Sequence, residues 1–447
     1  MSNSAPTTSA GDVLRNLVVG LTVSFVALSL GAAFGILSGR GAFAGMISAG
    51  IISLITGLLG GTRVQCSGPT APMSVVTATI VAVAYGRIPT DLPGVSTDHF
   101  INLVILLSAG LLLVIAVLRL GRFISLVPNV VISGFMNGIA LLIWAGQIEK
   151  LFGLGDYTPF VGSLAANLGV AIATLVVICL WPVMVDAWLP SIEHFRPPSS
   201  LVALVAVTVG VHLLDLKIGT IELGGSFADA GGLFGLLQSQ WPNDWSLPVL
   251  FLALPFALQL AALCYLDTLL TSLVVDRMTQ TPTRRNQELA AQGVANGVVG
   301  LFGGIPGAQA TIRSVLVIKE GGTLRLTGIA IGGFVLLEMV LLQDWISTIP
   351  QAVFVGILLK VGYDVLDTET LIAYADRLTG RSKPATAIFV GNLEMLIITG
   401  TTLSTLIWDL NTAVVAFTAV VFVINRYLRP ENCIRDLKPF GHPAHEE

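Results

Sequence analysis

Apolar runs close to the length of a membrane span follow one another along almost the whole chain. Their approximate cores are 15–37, 41–60, 70–85, 100–119, 128–148, 164–185, 200–215, 249–275, 288–303, 311–319, 326–343, 350–362, 385–402 and 405–425. A helix needs about 20 apolar residues to cross the hydrocarbon of a bilayer. A chain patterned this way folds in lipid, and no soluble domain of ordinary size fits between the runs. The composition agrees: 54% of the 447 residues are hydrophobic and 11% are charged, against about 25% charged in a soluble domain. The expected fold is an all-α polytopic membrane protein of about 14 transmembrane segments.

Segments 3 (70–85) and 10 (311–319) read as too short to span as continuous helix, and both follow Gly-rich polar stretches. The two halves of the chain echo each other at these places. Leu58-Leu59-Gly60-Gly61 precedes one short segment and Leu301-Phe302-Gly303-Gly304 the other. Phe123-Ile124-Ser125-Leu126-Val127-Pro128 likewise resembles Trp345-Ile346-Ser347-Thr348-Ile349-Pro350. Seven segments per half is odd, so the second copy enters the membrane from the opposite side. That is a 7+7 inverted repeat, in which interrupted segments at matching positions point to the binding site. The expected organisation is a cytoplasmic N-terminal tail (1–12), a first repeat (13–216), an extracellular linker (217–247), a second repeat (248–427) and a cytoplasmic C-terminal tail (428–447).

Basic residues support this count. With the N-terminus inside, inner loops receive Arg15, Arg119, Arg122, Arg277, Arg284, Arg285, Arg325, Arg377, Arg381, Lys383, Arg426 and Arg429, and the outer side mainly Arg87, Lys150 and Lys217. This obeys the positive-inside rule and predicts a multi-pass protein of the inner (plasma) membrane with both termini cytoplasmic. The N-terminal residues show neither a basic n-region nor a cleavage site, so no removable signal peptide is expected. Cys66, Cys179, Cys264 and Cys433 are far apart and read as packing residues. The pairs Gly31/Gly35, Gly41/Gly45, Gly134/Gly138, Gly293/Gly297 and Gly328/Gly332 suit close helix approach in lipid.

Chemistry concentrates at the breaks. Val64 to Ser67 reads as a short extended stretch, and Pro69 or Pro72 suits the first turn of a helix. Gly303 to Arg313 follows the same logic. If both half-helices start near the midplane, their N-termini face each other. Each carries roughly half a positive charge, and the two together make an anion site from backbone alone. Ordinary surface loops are the alternative. Asp267 sits in an apolar run, and Thr271, four residues on, shares its helix face. A carboxylate and a hydroxyl, with carbonyls from a broken segment, suit Na⁺. A proton is the other candidate, and a structural Asp, bonded to backbone or paired with Arg313, the plain one. Arg313 complements an anion, or else snorkels or pairs with Glu320. Asp276 and Arg277 read as a solvated edge, and Glu338, Glu394 and Asp409 as structural or near-interface. No His/Cys/Glu cluster has metal spacing and no loop holds a nucleophile motif, so enzyme function is not expected.

Three stretches carry a family resemblance: Y-L-D-T-L-L-T-S-L-V-V-D-R-M-T, N-Q-E-L-A-A-Q-G-V-A-N and G-L-F-G-G-I-P-G-A-Q-A-T-I-R-S-V. Together they resemble the signature region of the SulP anion transporters, and G-G-T-R-V-Q-C-S-G-P-T-A-P-M-S-V-V resembles that family's first broken segment. The resemblance implies a core domain (segments 1–4 and 8–11), a gate domain (segments 5–7 and 12–14) and an elevator-like cycle. It implies an anion site at Phe34, Thr70, Ala71, Ala310, Thr311 and Arg313, and a coupling-ion site at Asp267, Thr271, Gln309 and Ala310. Asp267 followed by Thr271 looks like the BicA-type branch of sodium-dependent bicarbonate transporters, whereas Arg313 fits the broader family better. The first helix reads Ala27-Leu28-Ser29-Leu30-Gly31 where the family often has proline, and the STAS domain that usually follows the last helix is not expected in this chain. The implied function is secondary active transport of a small inorganic anion, bicarbonate favoured, with Na⁺ or H⁺ as coupling ion. Proton-coupled sulfate or dicarboxylate transport, and an uncoupled anion channel, are the alternatives. No nucleic-acid partner is expected, and a homodimer is one admissible assembly.

Overall fold

The computed structural model describes residues 10–92, 94–126, 128–154, 160–188, 199–221, 232–379, 390–408, 410–428 and 434. Arg381, Lys383, Asp409, Arg429 and Cys433, and most of both tails, lie outside them. The described residues are mostly helical, as lipid requires: with no water to pair backbone N–H and C=O groups, a segment must satisfy its own. In chain order the helices begin with α1 (Ala10–Leu37), α2 (Ala42–Leu59), α3 (Ala71–Asp91), α4 (Thr97–Val117), α5 (Asn129–Phe152) and α6 (Leu164–Trp188). They continue with α7 (Ser199–Leu213), α8 (Gly232–Gln240), α9 (Leu247–Thr279), α10 (Arg285–Leu301), α11 (Thr311–Lys319) and α12 (Leu326–Leu341). The last are α13 (Gln343–Ile346), α14 (Gln351–Val365), α15 (Thr368–Thr379), α16 (Asn392–Ile407) and α17 (Leu410–Val423). Among the described residues there are also two strands of two residues, β1 (Ser67–Gly68) and β2 (Ala308–Gln309), a 3-10 helix at Leu120–Leu126 and a π-helical turn at Ile424–Leu428. Among the described residues, seven helices are long and apolar enough to cross a membrane.

The chain divides into two compact units. One comprises 1–122 and 149–358, the other 123–148 and 359–447. Within the first, α10 packs on α4, α12 on α2, and α1 on both α2 and α12. Small residues make these approaches close. A Cβ on Gly45 of α2 would stand 1.9 Å from the Gly31 carbonyl oxygen of α1, so the predicted Gly31/Gly35 and Gly41/Gly45 pairs meet one another.

Segment boundaries differ from the expected ones in three places. Segment 3 is not short: α3 runs 21 residues from Ala71, through Arg87 and Pro89, to Asp91. Pro89 falls in its last turn, where a missing N–H costs a single bond, so the helix continues past the polar residues that suggested its end. Two helices longer than two turns, α8 and α15, fall where no apolar run appears. α15 (T-E-T-L-I-A-Y-A-D-R-L-T) is amphipathic, with one buried stripe at Thr370, Ala373 and Asp376, and such a helix need not be apolar overall. Segment 10 has its expected length as α11, nine residues from Thr311 to Lys319.

Candidate functional site

The two sequence breaks pair with each other. β1 and β2 run antiparallel, with Ser67 opposite Gln309 and Gly68 opposite Ala308. The ladder extends by one bond, from Ala310 N to the Cys66 carbonyl at 3.1 Å, and Cys66 N donates to Ser314 Oγ at 3.1 Å. Glycine permits the contact: a Cβ on Gly307 would lie 2.3 Å from Gly68 O. The extended stretch therefore sits at Ser67–Gly68, at the end of the predicted Val64–Ser67. Each strand leads within two residues into a helix, β1 into α3 and β2 into α11. Neither start, at Thr70 or Ala310, is capped by its side chain. First-turn N–H groups have no intrahelical partner, and Pro72, in the first turn of α3, has none to satisfy.

α9 runs past both starts. Asp267 Oδ2 accepts a 2.7 Å hydrogen bond from the Thr70 hydroxyl. One turn on, the hydroxyls of Thr271 and Thr311 are 2.6 Å apart. The same helix holds β2. Cys264 Sγ donates to Gly307 O at 3.3 Å, Gln309 N donates to Thr268 Oγ1 at 3.4 Å, and Ser272 Oγ donates to Gln309 Oε1 at 2.8 Å. The period of a helix explains this: residues 264, 268, 271 and 272 fall on one stripe.

Arg313 is turned inward from the first turn of α11 and is 1% exposed. Its Nη2 donates to the Pro69 carbonyl at 2.6 Å, reaching the start of the opposite helix. Its Nη1 is buried with no partner. It interacts with Asp267 through charge but forms no ion pair with it or with Glu320. Snorkelling is thereby excluded for Arg313. Gln309 Nε2 is a second buried donor without a partner.

The predicted residues thus converge. Thr70, Asp267 and Arg313 meet at the start of α3, and Thr271, Gln309, Ala310 and Thr311 at the start of α11. Asp267 is half-buried and Thr311 exposed, while Thr70, Ala71, Thr271, Gln309 and Ala310 are buried. Phe34 is buried on α1, a helix that packs against both α3 and α11. Phe34 and Ala71 have no polar side-chain group to contribute. Asp276 is half-buried at the end of α9; its Oδ1 accepts from Thr283 N at 2.8 Å and Thr283 Oγ1 at 2.6 Å, closing the turn after α9.

The sequence reading missed the supporting residues on α10. Asn296 grips Gly307 from both sides, its Nδ2 donating to Gly307 O at 3.0 Å and its Oδ1 accepting from Gly307 N at 2.7 Å. Gln292 Nε2 donates to Ser67 Oγ at 2.8 Å. Glu288, fully buried, accepts from Thr62 N, Gln65 Nε2 and Gln292 Nε2 at 2.9, 3.1 and 3.1 Å. The signal was the spacing 288, 292, 296, one face of a helix four residues per step.

Residues 13–379 match the sulfate permease family. The chain belongs to that family. It is 34% identical over 373 residues to the bicarbonate transporter BicA of Picosynechococcus sp., covering 80% of this chain and 62% of the relative. It is 28% identical over 429 residues to a putative sulfate transporter of Bacillus subtilis, covering 92% of this chain and 74% of the relative. Against two BicA proteins the chain spans less than two thirds of their length. Among solved structures, the transmembrane domain of a cyanobacterial BicA superposes with a TM-score of 0.71 at 30% identity, covering 90% of this chain and 97% of that one. Murine solute carrier 26 family member A9 in its inward-facing state superposes with a TM-score of 0.73 at 18% identity, covering 93% of this chain and 68% of that one. That likeness supports the fold alone.

Proposed function

We propose that this protein is a secondary active transporter of a small inorganic anion, bicarbonate entering with Na⁺, working by an elevator-type movement. The observation that carries the reading is the meeting of two uncapped helix starts beside Asp267, with Arg313 buried between them. The anion binds at Thr70, Ala71, Ala310 and Thr311, against the first-turn amides of α3 and α11 that have no intrahelical partner, with the unpartnered Nη1 of Arg313 as a charged donor and Phe34 flanking it. Two helix N-termini favour negative charge. Na⁺ binds at Asp267 and Thr271, with carbonyl oxygens at Gln309 and Ala310. The cation offsets the cost of an ionised Asp267 in the membrane interior. The loaded site then crosses near neutrality with the helices that form it.

The same reading takes the chain as 14 segments in a 7+7 inverted repeat, with α3 and α11 as the interrupted segments of the two halves. The antiparallel pairing of β1 with β2 supports it, since such a pair has local two-fold symmetry and joins matching positions of the repeat. The BicA relatives support bicarbonate. The putative sulfate transporter of Bacillus subtilis and the buried Arg313 favour sulfate as the second cargo.

Uptake of labelled bicarbonate, sulfate and fumarate into proteoliposomes, with and without an inward Na⁺ gradient, separates these. Sodium-driven bicarbonate uptake that disappears in Asp267→Ala is expected. Sodium-driven uptake that survives Asp267→Ala overturns the cation site, and proton-driven sulfate uptake selects the second cargo.

A further inference from the structure

A second intramembrane carboxyl group plays no part in the site above. Glu338, on α12, is 7% exposed. Its Oε1 lies 2.5 Å from Ser24 Oγ on α1, and Ser24 is fully buried. The same Oγ lies 2.7 Å from the Leu21 carbonyl oxygen. A hydroxyl has one proton to donate. With Glu338 ionised, two acceptors would compete for that proton. Oε2, which is buried with no partner, would be a bare charged oxygen inside the bilayer. Buried charges without partners are costly.

No compensating cation is at hand. Among the described residues no Lys, Arg or His nitrogen forms an ion pair with Glu338. α2, packed against α12, carries no charged residue. α1 carries Asp12 and Arg15, both more than two turns before Ser24. Past the end of α12 the nearest charged residue is Asp344, on α13.

A proton on Oε1 removes both difficulties. Glu338 then donates to Ser24 Oγ, and Ser24 donates to Leu21 O. Oε2 becomes the carbonyl oxygen of a neutral acid, whose missing partner costs far less than a missing partner for a charge. Glu288 provides the contrast within the same unit. It is even more deeply buried, at 0% exposed, but three N–H groups point at its oxygens, the environment of an ionised carboxylate. Glu338 receives no N–H donor among the described residues.

We infer that Glu338 is a proton-binding site: a carboxylic acid that holds its proton inside the membrane at neutral pH and ties α12 to α1 through Ser24. It is separate from Asp267, and it does not depend on which anion or cation is transported. The test is the infrared spectrum of the protein reconstituted in proteoliposomes at neutral pH. The carbonyl band of a protonated carboxyl is expected in the wild type and in Asp267→Asn, and its loss in Glu338→Gln. Ser24→Ala, which leaves the acid in place, is expected to move the band to higher frequency by removing its acceptor. It carries the test alone if Glu338→Gln does not fold. Full band intensity in Glu338→Gln, or an unmoved band in Ser24→Ala, overturns the proposal.

Discussion

The hydroxyl of Thr70 is the only hydrogen-bond donor to Asp267 among the described residues, at 2.7 Å. A hydrogen bond to a charged group is worth about 1.5–3 kcal/mol, or roughly one to two powers of ten in an equilibrium constant. Thr70→Val is therefore expected to change the Na⁺ concentration for half-maximal uptake by about tenfold or more, whereas Thr70→Ser leaves it near the wild-type value. Arg313→Lys is expected to raise the anion concentration for half-maximal uptake although the charge is kept. A compact ammonium cannot hold the Pro69 carbonyl and still present a second, planar donor. Both effects are read in proteoliposome uptake. At this scale the sequence was informative wherever a charge interrupts an apolar run, as at Asp267 and Arg313. It was silent on Glu288, Gln292 and Asn296. They lie in a segment read only as the apolar run 288–303, and only the pairing of two distant breaks gives their polar groups partners. Glu338 needed Ser24, 314 residues away, before its chemistry had meaning.

At the scale of elements, the β1–β2 ladder fixes where α3 and α11 begin. Gly307 lies directly under the Gly68 carbonyl, so Gly307→Ala forces backbone apart in a close-packed region, a class of change that costs about 1–3 kcal/mol. Its melting temperature in detergent is expected to fall by several degrees. Gly110→Ala in α4, where a Cβ meets nothing within 4 Å, is the control and is expected to melt at or above the wild-type temperature. Glycine and proline punctuation revealed both breaks, because those residues mark local departures from helix. It did not reveal that the breaks pair, which is a long-range fact. The end of α3 was misjudged because Arg87 and Pro89 resemble a loop, α15 because an amphipathic helix lacks a continuous apolar run, and α8 because its nine residues are far too few to span a bilayer.

At the scale of the whole molecule, the chain carries few charges in its membrane segments, and the transported load decides the electrical behaviour. On the proposed function one Na⁺ moves with one bicarbonate and the load carries no net charge. Moving a single net charge would be worth about 2.3 kcal/mol per 100 mV. The initial rate of sodium-driven uptake is accordingly expected to be unchanged by an imposed potential, read with a potassium gradient and valinomycin. The helical membrane fold and the family were legible throughout, since lipid imposes backbone pairing on any sequence that enters it.

On the proposed function, anion and cation bind side by side where α3, α9 and α11 meet. Equilibrium binding of labelled Na⁺ to the purified protein, with and without bicarbonate, tests it most directly. Linkage requires each ligand to tighten the other by the same factor. The expected result is that bicarbonate lowers the Kd for Na⁺ severalfold, and that Asp267→Ala abolishes Na⁺ binding. Sodium affinity indifferent to bicarbonate, or intact in Asp267→Ala, would contradict the shared site.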